Sequence, residues 1–270
     1  MESENLKDVI KQRYGKIAEQ NKPTENNFAC GCSGNSCCST EEYSDFSDDY
    51  SNLEGYVADA DMGLGCGLPT QFAGILPGHH VLDLGSGAGN DCFVARAIVG
   101  KSGLVTGLDF TDAMLIKARE NAEKLGYTNV QFVKGDIEEM PFENDTFDVI
   151  VSNCVLNLVP DKHKAFSEMM RVLKPGGHFC VSDVVVRGEL PQSVIRDAEL
   201  YAGCIAGAME WEAYLQLVLD HGFTDMKVHT SKQITLPNEF LATYLNEQEV
   251  EEYKSNKAGL FSITVTGYKK

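Results

Sequence analysis

From about residue 79 onward, short runs of continuously apolar residues alternate with amphipathic stretches, and this alternation sets the fold class. VLDLG (81–85), LVTGLD (104–109), VQFVKGD (130–136), FDVIVSN (147–153) and GHFCVSDVVV (177–186) read as strands. Runs that stay apolar on consecutive residues belong to strands buried on both faces, which means a mainly parallel sheet with helices on either side. CFVARAIVG, after the first run, suits a helix. Thr111 and Asp112 can cap the next helix, whose apolar side is Met114, Leu115, Ala118, Ala122 and Leu125 and which Gly126 closes. Helical segments near 191–203 and 209–221 then interrupt the pattern, and HGFTDMKVHT (221–230) and FSITVTGYKK (261–270) read as closing strands. Before residue 79, a helix over 5–20 sets Leu6, Val9, Ile10, Tyr14 and Ile17 on one face. Residues 21–50, rich in Cys, Ser, Asp, Glu and Asn, read as a mobile loop.

Charge and cysteine usage narrow the function classes. The 270 residues carry a formal net charge of −17, which repels phosphate backbones and favours a small neutral or cationic ligand over nucleic acid. No apolar run approaches the ~20 residues that span a bilayer. The N-terminus has no basic segment followed by an apolar core, so the sequence points to the cytoplasm, with no membrane partner. Nine cysteines, an odd number in a reducing compartment, argue against a disulfide framework. Their thiols are core filler, metal or metalloid ligands, or redox groups. Nothing requires more than a monomer.

The loop DLGSGAGND ends the first strand with Asp83 and continues with Gly85, Ser86, Gly87 and Gly89. Glycines at this spacing let the backbone turn sharply and let a ligand approach without meeting a Cβ. Asp109 closes the next strand 24 residues after Gly85, a position suited to ribose hydroxyls. The nicotinamide pattern would need a glycine where Asn90 stands, which weakens a dehydrogenase reading. A carboxylate at Asp83 would repel a pyrophosphate and suit a ligand carrying positive charge. Asp136, after the third strand, can accept a hydrogen bond from an adenine amino group.

In order along the chain, VLDLGSGAGND, GLDFTDAML, GDIEEMPF, FDVIVSNCVLNL and RVLKPGG resemble the successive motifs of the Rossmann-like S-adenosylmethionine-dependent methyltransferases, over roughly residues 75–185. The resemblance implies an α/β fold: a seven-stranded, mostly parallel sheet with its last strand antiparallel, helices on both faces, and a smaller C-terminal α+β part. It also implies a cofactor, S-adenosylmethionine, at the carboxyl edge. Asp83 and the glycines, Gly85 and Gly87 among them, would lie near its methionine part, and Ser86 and Asn153 would also belong to the cofactor-binding set. Asp109 would hold the ribose, Met114 would pack on the adenine, and Asp136 with Ile137 would flank the adenine edge. The implied division is an N-terminal helix and Cys-rich segment over 1–50, a cofactor-binding domain over 51–188, and an acceptor-binding part over 189–270 that completes the sheet.

Cys154 stands where the fourth strand runs out, at the edge where the cofactor should lie, and no general base stands out nearby. Cys66 in GLGCGLP and Cys204 in YAGCIAG occupy glycine-bearing contexts. Three thiolates are a soft ligand set. A second, narrower resemblance covers nearly the whole chain: GCGLP, VSNCVLNLVPDK and GCIAGA are similar to the cysteine-bearing segments of the arsenite methyltransferases. It implies that Cys66, Cys154 and Cys204 bind trivalent arsenic, with arsenite and methylarsenite as substrates and a thiol reductant such as thioredoxin or glutathione as partner. Cys30 and Cys32, in a C-x-C-x4-C-C cluster with Cys37 and Cys38, are candidate reducing or capture thiols. Cys92, in a helix, and Cys180, in an apolar strand, suit core packing. The broad motif set alone also suits a methyltransferase acting on an organic small molecule such as a quinone or sterol precursor. A thiol-rich metalloid-binding protein without activity is a third reading.

Overall fold

The structure is a computed structural model and describes residues 3–20, 48–188, 207–234, 246, 248, 250 and 259–270. The Cys-rich segment with Cys30 and Cys32, the helix expected near 191–203, and Cys204 all lie outside the described residues.

Among the described residues, eight strands form one sheet: β1 (His80–Leu84), β2 (Leu104–Asp109), β3 (Val130–Lys134), β4 (Phe147–Asn153), β5 (Leu173–Arg187), β6 (Met209–Glu210), β7 (Thr224–Ile234) and β8 (Gly259–Tyr268). Their order is β3-β2-β1-β4-β5-β8-β7, with the short β6 pairing in parallel to β5. The last strand, β8, runs antiparallel between β5 and β7, while β1 to β5 are parallel neighbours. Among the described residues the main helices are α1 (Ser3–Gln20), α2 (Pro69–Phe72), α3 (Asn90–Val99), α4 (Asp112–Lys124), α5 (Lys162–Val172) and α6 (Trp211–Asp220). This is the expected α/β architecture.

The two cores follow from the period-two geometry of the central strands. Leu82, Leu84, Ile150, Phe179 and Val181 point to one face, where Phe166 and Met169 of α5 and Tyr214 of α6 meet them. Val81, Val149, Val151 and Cys180 point to the other, against Cys92, Phe93 and Ala95 of α3 and Leu115 and Ala118 of α4. Cys92 and Cys180 are therefore core thiols, as their apolar neighbours suggest. In α1, Leu6 and Ile10 are buried, as the helical spacing predicts.

Several details differ from the sequence reading. β5 begins at Leu173 because Leu173 already pairs with Phe147, before a register irregularity that absorbs the Pro175–Gly177 segment. Residues 209–210 join the sheet, and the helix expected over 209–221 starts at Trp211, with the Glu210 carboxylate capping the Ala213 N–H. Thr111 occupies the N-cap position of α4 without a side-chain cap. Its N–H donates instead to Asp109 Oδ1 at 2.8 Å.

The chain leaves β1 toward β2 and β3 on one side, then returns to place β4 on the other. The crevice above the carboxyl ends of β1 and β4 is the topological switch point, where ligands bind in open α/β sheets.

Candidate active site

That crevice is a pocket of about 1160 Å³, mouth included, lined from β1, β2, β4, the N-terminus of α3 and the inner face of α1. All nine residues read from the sequence as cofactor contacts line it: Asp83, Gly85, Ser86, Gly87, Asp109, Met114, Asp136, Ile137 and Asn153. Cys154 lines the same pocket.

The glycine loop is shaped by contact. Gly85 has φ +66°, and a Cβ there would stand 2.5 Å from a Val155 methyl. Any larger residue would collide with the β4 edge while adopting a backbone that L-residues avoid. Gly87 is also at positive φ, and a Cβ there would only just reach Met114 Sδ, at 4.0 Å. Asp109 fastens the loop by accepting the Gly87 N–H at 3.0 Å as well as that of Thr111. Ser86 Oγ is buried against Gly107 of β2, with no hydrogen-bond partner among the described residues.

Cys154 adopts φ +60°, one of three non-glycine residues at positive φ among the described residues. Such a left-handed turn in a non-glycine residue is strained and persists only when its surroundings enforce it. Here the Cys154 N–H donates to Ser182 O at 2.7 Å, pinning the turn to β5.

Asn153, one residue earlier, reaches to the loop that carries Cys66. Its Oδ1 accepts the Cys66 N–H at 2.9 Å, and its Nδ2 donates to Gly67 O at 2.8 Å. Ser262 of β8 donates to the Cys66 carbonyl. Cys66 and Cys154 are both buried thiols. Burial pushes the Tyr214 hydroxyl well above its ordinary range, and the charges of Asp183, Cys66 and Cys154 add to that effect. The structure joins two of the three predicted thiol segments; Cys204 lies outside the described residues.

Residues 75–222 match the family model described as "Methyltransferase domain". The chain belongs to the methyltransferase-domain family. It is 36% identical over 255 residues to an arsenite methyltransferase of Halobacterium salinarum, a match spanning 93% of this chain and 64% of the relative. The crystal structure of CrArsM, an arsenic(III) S-adenosylmethionine methyltransferase from Chlamydomonas reinhardtii, superposes with a TM-score of 0.64 at 39% identity, covering 76% of this chain and 67% of that one. A ubiquinone/menaquinone biosynthesis C-methyltransferase of Pasteurella multocida is 42% identical over 110 residues, only 40% of this chain and 41% of the relative. The chain spans between half and two thirds of the length of the curated arsenite methyltransferases that it matches.

The electrostatics of this methyltransferase domain are acidic at one end of the pocket. Asp83, fully enclosed on β1, has its carboxyl pushed well above the ordinary range, first by burial and then by the charge of Asp91. Cys92 Sγ donates to it at 3.2 Å. Asp91, in the first turn of α3, is raised to about 6 by burial, against the hydrogen bonds of Asn153 and Tyr50. Part of its surface still faces the pocket, while Tyr50 and Asn153 pack around the carboxylate. Burial also raises Asp109, opposed by the N–H groups of Thr111 and Gly87. Three carboxylates crowded where water is scarce are stabilised by an incoming cation.

At the opposite end, Lys7 of α1 bonds Asp136 at 2.6 Å and Glu138 at 2.5 Å, so the helix closes over the Asp136 edge. Lys7, Tyr50 and Asp91 escaped the sequence reading. Asp91 had a usable signal, an acid placed in the first helical turn directly after the glycine loop. Lys7 and Tyr50 had none, because their partners are 129 and 41 residues away.

Proposed function

We propose that this chain transfers methyl groups from S-adenosylmethionine to trivalent arsenic held by cysteine thiolates, with arsenite and methylarsenite as acceptors. The observation that carries the proposal is the pocket itself: the donor-type glycine loop with its acids shares one crevice with Cys154, and Asn153 ties the Cys66 loop to the same strand end.

The residues fit the donor chemically. The acid set suits a ligand bearing sulfonium and ammonium charge. Asp109 retains lone pairs for ribose hydroxyls beyond the two N–H groups that it accepts. Met114 supplies an apolar wall for an adenine ring. Asp136 and Ile137 border its edge, where Lys7 holds Asp136 in place. When bound, S-adenosylmethionine supplies an electrophilic methyl group on a sulfonium. The protein's own contribution is positioning, because a lone pair in line with the methyl needs no base. Cys66, Cys154 and Cys204 are the proposed arsenic ligands. Soft thiolates select the soft metalloid and leave its lone pair for the transfer.

On this reading the protein works in metalloid detoxification in the cytoplasm, as a monomer recycled by a thiol reductant such as thioredoxin or glutathione. Cys30 and Cys32 serve as capture or reducing thiols. The division at residues 50 and 188 separates the Cys-rich segment, the donor domain and the acceptor part. Against an organic acceptor stands the reach of the similarity, which extends over 93% of the chain for an arsenite methyltransferase and 40% for a quinone one.

The test is incubation of the protein with S-adenosylmethionine, arsenite and a dithiol, followed by chromatography with arsenic-specific mass detection. Methylarsenicals are expected, and serine at Cys66, Cys154 or Cys204 should reduce their formation. An unchanged rate with all three replaced would overturn the proposal.

A further inference from the structure

Asn153 is placed by sequence among the donor contacts, yet its amide is engaged almost wholly elsewhere. Oδ1 accepts the Cys66 N–H. Nδ2 has two hydrogens and meets Gly67 O at 2.8 Å, Tyr50 Oη at 2.5 Å and Asp91 Oδ2 at 3.3 Å. The short contacts take both hydrogens, so Gly67 O and the Tyr50 oxygen are the acceptors. Flipping the amide would set Oδ1 against the Gly67 carbonyl oxygen, so the partners fix its orientation. The Tyr50 hydroxyl lies 3.0 Å from both Asp91 oxygens and 3.1 Å from Gly67 O, and it has one proton. Asn153 already serves Gly67, which leaves that proton for Asp91. The result is a directed chain: Asp91 accepts from Tyr50, Tyr50 accepts from Asn153, and Asn153 grips both sides of the peptide that follows Cys66.

One end of this chain is a carboxylate facing the donor pocket, and the other is the backbone that aims a thiol. We infer that Asn153 is a positioning residue for Cys66, and that Tyr50 and Asn153 couple occupancy of the donor pocket to capture of trivalent arsenic. The inference rests on the proposed function for its substrate, while the hydrogen-bond chain stands independently. A cation in the donor pocket keeps Asp91 ionised, and an ionised Asp91 holds the Tyr50 proton. The Tyr50 oxygen is then turned to accept from Asn153, and the grip on Cys66 and Gly67 is complete. Linkage makes the effect reciprocal: arsenic bound at an ordered Cys66 raises donor affinity by the same factor.

Two variants of the full chain test it, Tyr50→Phe and Asn153→Ala. The first readout needs no arsenic. Cys66 is 2% exposed, so its alkylation by iodoacetamide, followed by peptide mass mapping, reports release of the loop. In the wild type, saturating S-adenosylmethionine should slow Cys66 alkylation. In both variants basal alkylation should rise about tenfold, the usual size of losing a buried hydrogen bond or two, and the donor should protect no longer. The second readout is the dissociation constant for arsenite with and without a donor analogue that carries a protonated amine in place of the sulfonium, which supplies the cation and transfers no methyl group. The variants should bind arsenite about tenfold more weakly, and the analogue should tighten arsenite binding in the wild type but not in the variants.

Tyr50→Phe keeps the ring packing and decides the matter if Asn153→Ala melts early. Unchanged alkylation and arsenite binding in Tyr50→Phe, with weakened analogue binding, would make these residues plain donor contacts and overturn the inference. If the wild type binds no arsenite but donor protection of Cys66 disappears in Tyr50→Phe, the substrate reading fails and the coupling stands.

Discussion

An alanine at Gly67 would put its Cβ 2.5 Å from the Ser182 hydroxyl oxygen and 2.7 Å from Ser182 Cβ. Ser182 sits in the middle of β5, fully buried and hydrogen-bonded to Thr264 at 2.8 Å, so it has nowhere to retreat. The loop must move instead, and it carries Cys66. Gly67→Ala should therefore lower stability by about 1–3 kcal/mol, the range for overpacking, visible as a fall of several degrees in thermal melting. The proposed arsenic methylation should fall further than binding of S-adenosylhomocysteine does, because the donor loop stays in place. Asp91 offers a second residue-scale outcome. Its carboxyl is raised from 3.8 to about 6 in the folded protein, so between these values the folded state holds the proton more firmly than the unfolded state does. Stability from this group is then fully present below about pH 4 and is lost as pH rises toward 6, the reverse of a salt-bridged aspartate. A cationic donor favours the ionised form, so binding near pH 6 should expel about half a proton from Asp91. Calorimetry in two buffers of different ionisation heat measures that release. Asp91→Asn should abolish this part of it, and proton uptake on binding would show the sign to be wrong.

At the level of elements, α1 shows how a short segment can control a pocket that it does not share a sheet with. Lys7 pairs with both Asp136 and Glu138, Leu6 and Ile10 are buried, and Lys11 lies 5.7 Å above the Phe110 ring. Lys7→Met keeps the stem packing and removes the ion pairs, which at this partial exposure are worth about 1 kcal/mol. Donor affinity should fall about fivefold through faster dissociation, and hydrogen exchange should quicken along residues 6–18 with the sheet unaffected. Equal exchange in variant and wild type would mean that the apolar face of α1 alone closes the pocket. The strands and the donor loop were legible in the sequence because their signals are local. Apolar runs, glycine spacing and the acids at the ends of β1, β2 and β3 all fall within a few residues. The grip of Asn153 on Cys66 spans 87 residues and joins two loops, so no periodicity could reveal it. Asn153 was legible as a pocket residue and illegible as a clamp. The start of β5 was hidden for another reason: a Pro-Gly-Gly stretch reads as a turn, and only pairing of Leu173 with Phe147 draws it into the sheet.

For the whole molecule, the sign of the pocket agrees with the sign of the chain, a net −17 with Asp83, Asp91 and Asp109 gathered at one crevice. Transfer of a methyl group turns the proposed donor, with one net positive charge, into a product with none. A field that draws in the donor therefore loses its hold on the product at the moment of reaction, and product release follows from charge balance without any moving part. Long-range attraction of this kind is screened over about 10 Å at 0.1 M salt. The association rate of S-adenosylmethionine should consequently fall as ionic strength rises, by about tenfold between low and high salt, the lower end of electrostatic steering. That of S-adenosylhomocysteine should stay nearly flat. Stopped-flow fluorescence with the two ligands over one salt series separates them, since size and shape are matched and only the sulfonium differs. Parallel salt dependence for both ligands would place the attraction in their shared groups and remove the electrostatic account of product release.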